Sequence, residues 1–203
     1  MRFLCYYYAN MEPNITQNPR FKAPILYEAW EWIKVIVIAI IIATIVRHFI
    51  IEPFIVEGVS MDPTFKTGHF LIIDRLSYRF HEPRRGDVIV LINPNDHSEY
   101  FIKRIIGLPG ETVTLENGNL KITSGSTTQE IKEPYIADIH KSFNNAEYNL
   151  NNKQYFVMGD NRAESSDSRA WGPVERDLII GRPMIRLFPL NKITIYPGEY
   201  NQN

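Results

Sequence analysis

The sequence predicts a mainly β fold, an antiparallel β domain preceded by one apolar helix. From Glu52 onward, short runs rich in Ile, Val, Phe and Tyr alternate with Gly, Pro, Asn and Asp, and no long 3.6-residue periodicity appears. Ahead of them, Val35 to Val46 is apolar throughout except for Thr44. Within the β region, Asn117-Gly118 separates two β-type runs, the signature of a tight hairpin.

Composition narrows the classes. A chain of 203 residues holds one domain or a small pair, and 22 Lys+Arg against 23 Asp+Glu leave no electrostatic footprint for nucleic acid. With 44% hydrophobic residues, there is apolar surface for a core despite 13 Pro and 11 Gly. The single cysteine, Cys5, closes no internal disulfide and builds no thiolate metal cluster.

Residues 1–32 read as a short cytoplasmic tail in which Met11 is an alternative start. Asn14-Ile15-Thr16 matches a glycosylation acceptor that would be inert on the inner side. Residues 33–51 read as a transmembrane helix: 19 residues at ~1.5 Å each give about 28 Å, close to the roughly 30 Å hydrocarbon core. Lys34 and Arg47 would then snorkel, and Trp30 and Trp32 would sit at an interface. A buried helix of a soluble core is the alternative. A cleaved secretory signal is excluded, because 34 residues precede Val35 and Arg47-His48 stands where small residues are needed. Arg2, Arg20, Lys22 and Lys34 before the run, against Arg47 after it, favour a single pass through the plasma membrane with the N-terminus inside.

Residues 52–203 then form an extracytoplasmic β domain. Strands are predicted at 54–56, 71–73, 88–92, 100–106, 112–115, 155–158, 179–180 and 193–196, with Thr112–Leu115 and Leu120–Ile122 paired across the Asn-Gly turn. A variable insert is expected around 117–154, since Thr123 to Gln154 is polar and rich in Ser, Thr and Asn.

Three segments can carry chemistry: Gly58 to Thr64, Tyr100 to Gly110, and Gly159-Asp160-Asn161-Arg162 continuing through Ser165 and Asp167 to Arg169. Ser60 alone reads more readily as a turn hydroxyl than as a nucleophile, and Lys103 alone as an edge-strand charge. In a strand, however, Phe101, Lys103 and Ile105 share one face, so the lysine lies between apolar neighbours and is expected to be desolvated. That matters because a serine hydroxyl needs a base, and a lysine serves only when neutral. Lowering a lysine from ~10.4 to about 8 costs its charged form on the order of 3 kcal/mol, within reach of burial. The adjacent Arg104 stays protonated and is no candidate base.

In this order, after an N-terminal apolar run, the three segments resemble the boxes of bacterial type I signal peptidases. The likeness runs from about Phe54 to Arg169 and more weakly to Pro183. It implies a β catalytic domain, barrel-like and related to LexA-like peptidases, with Ser60 as nucleophile and Lys103 as general base. Ser165 would orient the lysine, and Asp167 and Arg169 would form an ion pair bracing the loop. Asp160, Arg162 and Arg104 would be structural, as would the Gly86-Asp87 box, although solvated turn charges are an equal reading for Asp160 and Arg162. The Ser60 backbone N–H would serve the oxyanion; Gly58 stands where some members carry a serine that helps. Phe54, Val56, Met61, Phe101 and Ile102 match positions lining shallow substrate pockets, with core packing the alternative for each. Substrates would be exported preproteins, cut after small residues at the first and third positions before the scissile bond, beside the lipid bilayer. No cofactor or metal is implied.

Other schemes fit worse. There is no Gly-x-Ser-x-Gly elbow and no Ser-x-x-Lys at Ser60, and His69, the nearest histidine, reads as a surface residue. A self-cleaving LexA-like peptidase shares the Ser/Lys pair but lacks an apolar span and carries a DNA-binding part. A catalytically silent, membrane-tethered peptide-binding β domain is the rival from another class.

Overall fold

The computed structural model describes residues 25–49, 51–136 and 145–199. Most of the expected tail, with Cys5, Met11 and the Asn14 acceptor, lies outside the described residues.

Helix α1 (Ile25–Phe49) begins directly after Pro24 and contains neither Gly nor Pro over its 25 residues. It starts eight residues before the expected span and stops short of its end, because Ile51 opens strand β1 (Ile51–Ile55) instead. Among the described residues, no helix is long and apolar enough to cross a membrane. The side chains described for α1, from Tyr27 to Thr44, include Glu28, Glu31 and Lys34, and Lys34 pairs with Glu31 at 2.7 Å. The chain forms two compact units, one ending at Ile42 and the other beginning at Ala43.

The second unit continues with β2 (Phe70–Asp74), the short helix α2 (Ser77–Phe80), β3 (Val88–Ile92) and β4 (Tyr100–Gly107). There follow β5 (Thr112–Glu116), β6 (Asn119–Ser124), β7 (Thr127–Glu130), β8 (Ala146–Asn149) and β9 (Gln154–Met158). A short helix α3 (Ser168–Trp171) precedes β10 (Val174–Glu175), β11 (Ile179–Phe188) and β12 (Thr194–Ile195). Eight strands make one sheet in the order β1-β2-β11-β3-β4-β9-β10, with β12 added to β11, and four make a second in the order β7-β6-β5-β8. Every pairing is antiparallel, as expected. The large sheet is an open path from β1 to β10. Pro53 is tolerated in β1 because that strand is an edge.

The core explains the continuous apolar runs of β3 and β9. Ile89, Leu91, Tyr155 and Val157 join one buried cluster. Their alternate neighbours face elsewhere: Val88 and Val90 pack with Phe65 and Leu71, and Phe156 and Met158 with Val113, Leu115 and Leu120 of the small sheet. Sheet strands covered on both faces lose polar alternation. The Asn117-Gly118 hairpin forms as expected, with φ of 50° and 80° at the two turn residues and Glu116 opposite Asn119.

The expected insert proves to be partly sheet. β7 and β8 lie within it and carry no apolar run of their own, since they pair with β6 and β5. β11 runs eight residues past its expected end, through Gly181 and Pro183, and its pairing registers shift beside both residues.

Candidate active site

Three segments of the second unit converge. Ser60 lies in the turn after β1, Lys103 in the middle of β4, and Gly159 to Asp167 in the loop between β9 and α3. The Lys103 Nζ donates to Ser60 Oγ at 2.9 Å and to its neighbour's carbonyl, Ile102 O, at 3.0 Å. Lys103 is only 3% exposed, and its Nζ stands 5.0 Å from the centre of the Phe101 ring. Burial pulls its pKa from 10.5 down to about 8, against the opposing pull of the Asp167 and Asp160 carboxylates. Within the described residues, no carboxylate forms an ion pair with this amine.

The β9–α3 loop holds the nucleophile's backbone. Asn161 N–H donates to Ser60 O at 3.0 Å. Gly159 must be glycine, since a Cβ there would lie 2.3 Å from Ser60 O and 2.3 Å from Ser165 Oγ. Gly159 N–H donates to Asp167 Oδ2 at 3.0 Å, and Arg169 closes on both oxygens of that carboxylate at 2.7 and 2.8 Å. Burial would raise the Asp167 carboxyl, but the Arg169 guanidinium and the Gly159 N–H hold it below the usual carboxylate range. The expected Asp167–Arg169 ion pair is therefore present.

Asp160 and Arg162 are not solvated turn charges. Asp160 is fully buried, accepts from Arg104 Nε and Nη2 at 2.8 and 2.7 Å, and receives Thr64 Oγ1 at 2.5 Å. Arg104, 1% exposed, also donates to Gly86 O and Gly198 O, which gives the Gly86-Asp87 box a structural part. Arg162 donates from Nε to Gly159 O at 3.0 Å and from both terminal nitrogens to Glu133.

Ser165 behaves differently from expectation. Its Oγ is buried against Gly159 and makes no hydrogen bond to Lys103; the hydroxyl faces Asp167 instead and helps to lower that carboxyl. Gly58 takes φ +87°, a left-handed backbone that disfavours any side chain there.

A cavity of about 240 Å³ opens beside the pair, lined by Phe54, Val56, Phe101 and Ile102 together with Ser60 and Lys103. Of the expected pocket residues Met61 is absent from this lining: it is 1% exposed and packs with Val56, Phe65 and Leu71, because the turn after Ser60 points it into the core. His69 is a second correction. It is 5% exposed, with its ring edge-on to Phe65 and Nδ1 accepting from Lys66 N–H, and burial followed by Arg186, Lys192 and Lys66 lowers its pKa. Sequence reasoning included Thr64 in a marked segment without giving it a role, and missed Glu133 and Tyr135. Glu133 and Tyr135 sit in a polar stretch with no patterning to mark them. Among the described residues, no group of His, Cys, Asp and Glu is placed to hold a metal ion.

Residues 29–188 match the family described as signal peptidase, peptidase S26. The chain is 39% identical over 172 residues to a signal peptidase I of Bacillus amyloliquefaciens, covering 80% of this chain and 86% of that one. It is 38% identical over 173 residues to signal peptidase I T of Bacillus subtilis, covering 80% and 87%. A solved signal peptidase I from Enterococcus faecalis is 28% identical with a TM-score of 0.43, covering 50% of this chain and 97% of that one.

Proposed function

Because the chain belongs to the peptidase S26 family of signal peptidases, we propose that it removes N-terminal signal peptides from exported preproteins with Ser60 as nucleophile and Lys103 as base. The observation that carries this reading is the 2.9 Å contact between an otherwise buried amine and a hydroxyl.

A neutral Lys103 Nζ takes the Ser60 proton while Oγ bonds to the scissile carbonyl carbon. The oxyanion that forms is offered the Ser60 N–H, which donates to no acceptor among the described residues. As the carbon–nitrogen bond breaks, the Lys103 ammonium returns its proton to the leaving amine. Water, deprotonated by Lys103, then attacks the ester, and Oγ regains a proton as it departs. Ser165, buried beside Gly159 and facing Asp167, is the hydroxyl that orients the amine once it is neutral.

The cavity lined by Phe54, Val56, Phe101 and Ile102 is small and apolar enough to select small side chains at the first and third positions before the cut. An extended peptide presents those two positions to one face. The membrane completes the reading. Val35 to Val46 is apolar except for Thr44, and Val35, Ile36, Ile38, Ile40 and Ile41 stand more than half exposed, so a bilayer is the solvent that suits this part of α1. A single pass with the N-terminus inside would leave the β domain outside, on the side where signal segments emerge.

Detergent-solubilised wild type and Ser60→Ala, given a preprotein with alanine at both positions, test this. Site-specific cleavage by the wild type alone supports it. Cleavage by both, or by neither with intact peptide binding, sinks it, the latter in favour of a silent binder.

A further inference from the structure

A strap, residues 131–136, leaves the small sheet after β7 and runs to the two segments that flank the Ser60/Lys103 pair. Its start is pinned by Ile131 N–H on Leu120 O at 2.9 Å, and its end by the buried Ile136. Between them Glu133 turns inward with its side chain 10% exposed, and both its oxygens accept from the terminal nitrogens of Arg162, whose side chain is fully buried. Tyr135 Oη donates to Glu133 Oε1 at 2.8 Å, and its ring lies 4.0 Å from the guanidinium carbon of Arg104.

The charges make Glu133 necessary. Arg104 and Arg162 bring two permanent cations into the interior. The Asp160 carboxylate closes on Arg104 with both oxygens, and Glu133 does the same for Arg162. A buried guanidinium without a partner is costly, so loss of the Glu133 charge turns Arg162 toward water or toward another acceptor. Arg162 cannot move without releasing Gly159 O, which its Nε holds at 3.0 Å. Two residues on, Asn161 N–H holds Ser60 O. The path from Glu133 to the nucleophile therefore has one side-chain link and one short piece of loop.

We propose that Glu133 is a positioning residue for peptide cleavage: through Arg162 it fixes the Gly159–Asn161 loop, and through that loop it keeps the Ser60 carbonyl, and with it Oγ, in line with Lys103 Nζ. This rests on the Ser60/Lys103 reading above. It gives the segment expected to be a variable insert a part in the chemistry without touching substrate. Tyr135 couples the same strap to Arg104, the neighbour of Lys103 in β4.

The full chain in detergent is assayed for kcat and KM on one preprotein, with thermal unfolding followed in parallel. Glu133→Gln should lower kcat by about 10- to 100-fold, as expected for a small misplacement of a reacting atom, at temperatures where it is fully folded. Its KM should stay within about threefold of wild type, because no substrate contact is lost. Glu133→Asp, which restores the charge, should recover most of the loss. Arg162→Met combined with Glu133→Gln should be no slower than Arg162→Met alone, since the two act as one unit. A folded Glu133→Gln with wild-type kcat overturns the proposal, as does a loss in kcat that only follows the unfolded fraction. So does a double variant that multiplies the two losses. Should Glu133→Gln be recovered unfolded, Tyr135→Phe removes a hydroxyl that donates to Glu133: a kcat lowered about threefold or more supports the role, and an unchanged kcat overturns it. Ser60→Ala runs alongside. If it cleaves, the dyad reading falls and the positioning role with it; if it is dead while folded Glu133→Gln is fully active, the positioning role alone falls.

Discussion

Lys103 Nζ stands 2.9 Å from Ser60 Oγ, although the two residues lie 43 positions apart in sequence, one in the middle of β4 and the other in the turn after β1. Burial holds the amine's pKa near 8, so at pH 7 about a tenth of the molecules carry it neutral, and at pH 8 about half do. The base form is the deprotonated one, so kcat/KM should climb through pH 7 to 8 and level above about 9. Rates at steady substrate across pH 5 to 10 check this, and a rate already maximal at pH 5 contradicts it.

Arginine keeps the length and charge of the base but not its ability to lose a proton. Lys103→Arg should abolish cleavage, as should Ser60→Ala, with both variants folded by circular dichroism. Normal processing by either one ends the dyad reading.

Much of this site was legible in the sequence, and the limits were physical. Val88–Ile92 and the Asn117-Gly118 hairpin announced themselves because local apolar runs and turn chemistry decide them. β7 and β8 did not, since exposed polar strands owe their form to the neighbours they pair with rather than to their own residues. Lys103 was readable from the apolar neighbours sharing its face. Met61 was not separable from the pocket residues, because a turn rather than a strand sets its direction. Glu133 had no local signal: its partner Arg162 lies 29 positions away, and only the fold brings them together.

Lys103 should also carry a cost in stability. Its pKa is lower in the folded state, about 8, than the 10.5 of an exposed lysine, so the folded state gives up its proton first. The penalty is fully present below pH 8 and fades as pH rises toward 10.5. Lys103→Met, close in volume and without charge, should therefore be inactive yet more stable at pH 7, by on the order of 3 kcal/mol at most. Thermal scans of both proteins at pH 7 and pH 10 check it: the gap should be wide at pH 7 and narrow at pH 10. A variant less stable than wild type at pH 7 contradicts the desolvated amine.

Asp160→Asn leaves the Arg104 guanidinium buried with no counter-charge, while Glu116→Gln breaks only the exposed pair with Lys121. The first should cost about 3–5 kcal/mol, and the second should leave the urea midpoint unchanged. Equal midpoints for the two variants would mean that Asp160 is not holding Arg104 as the 2.7 and 2.8 Å contacts imply.

Phe54 and Tyr100 close one side of the cavity with their rings edge to face, centroids 5.3 Å apart. Lys103 Nζ is held by Ser60 Oγ and Ile102 O rather than by either ring, so truncating one ring changes the space offered to the peptide and leaves the base in place. Phe54→Ala removes a wall of a cavity of about 240 Å³. It should therefore lower the discrimination between alanine and bulkier residues before the cut more than it lowers the rate on the alanine substrate. Each methylene of misfit is ordinarily worth about 10-fold or more in selection, and valine exceeds alanine by two carbons, so the preference for alanine over valine should shrink by at least about 10-fold. Competition between two preproteins that differ only at that position reads the ratio directly. A ratio unchanged from wild type would place the selecting wall elsewhere, among Val56, Phe101 and Ile102.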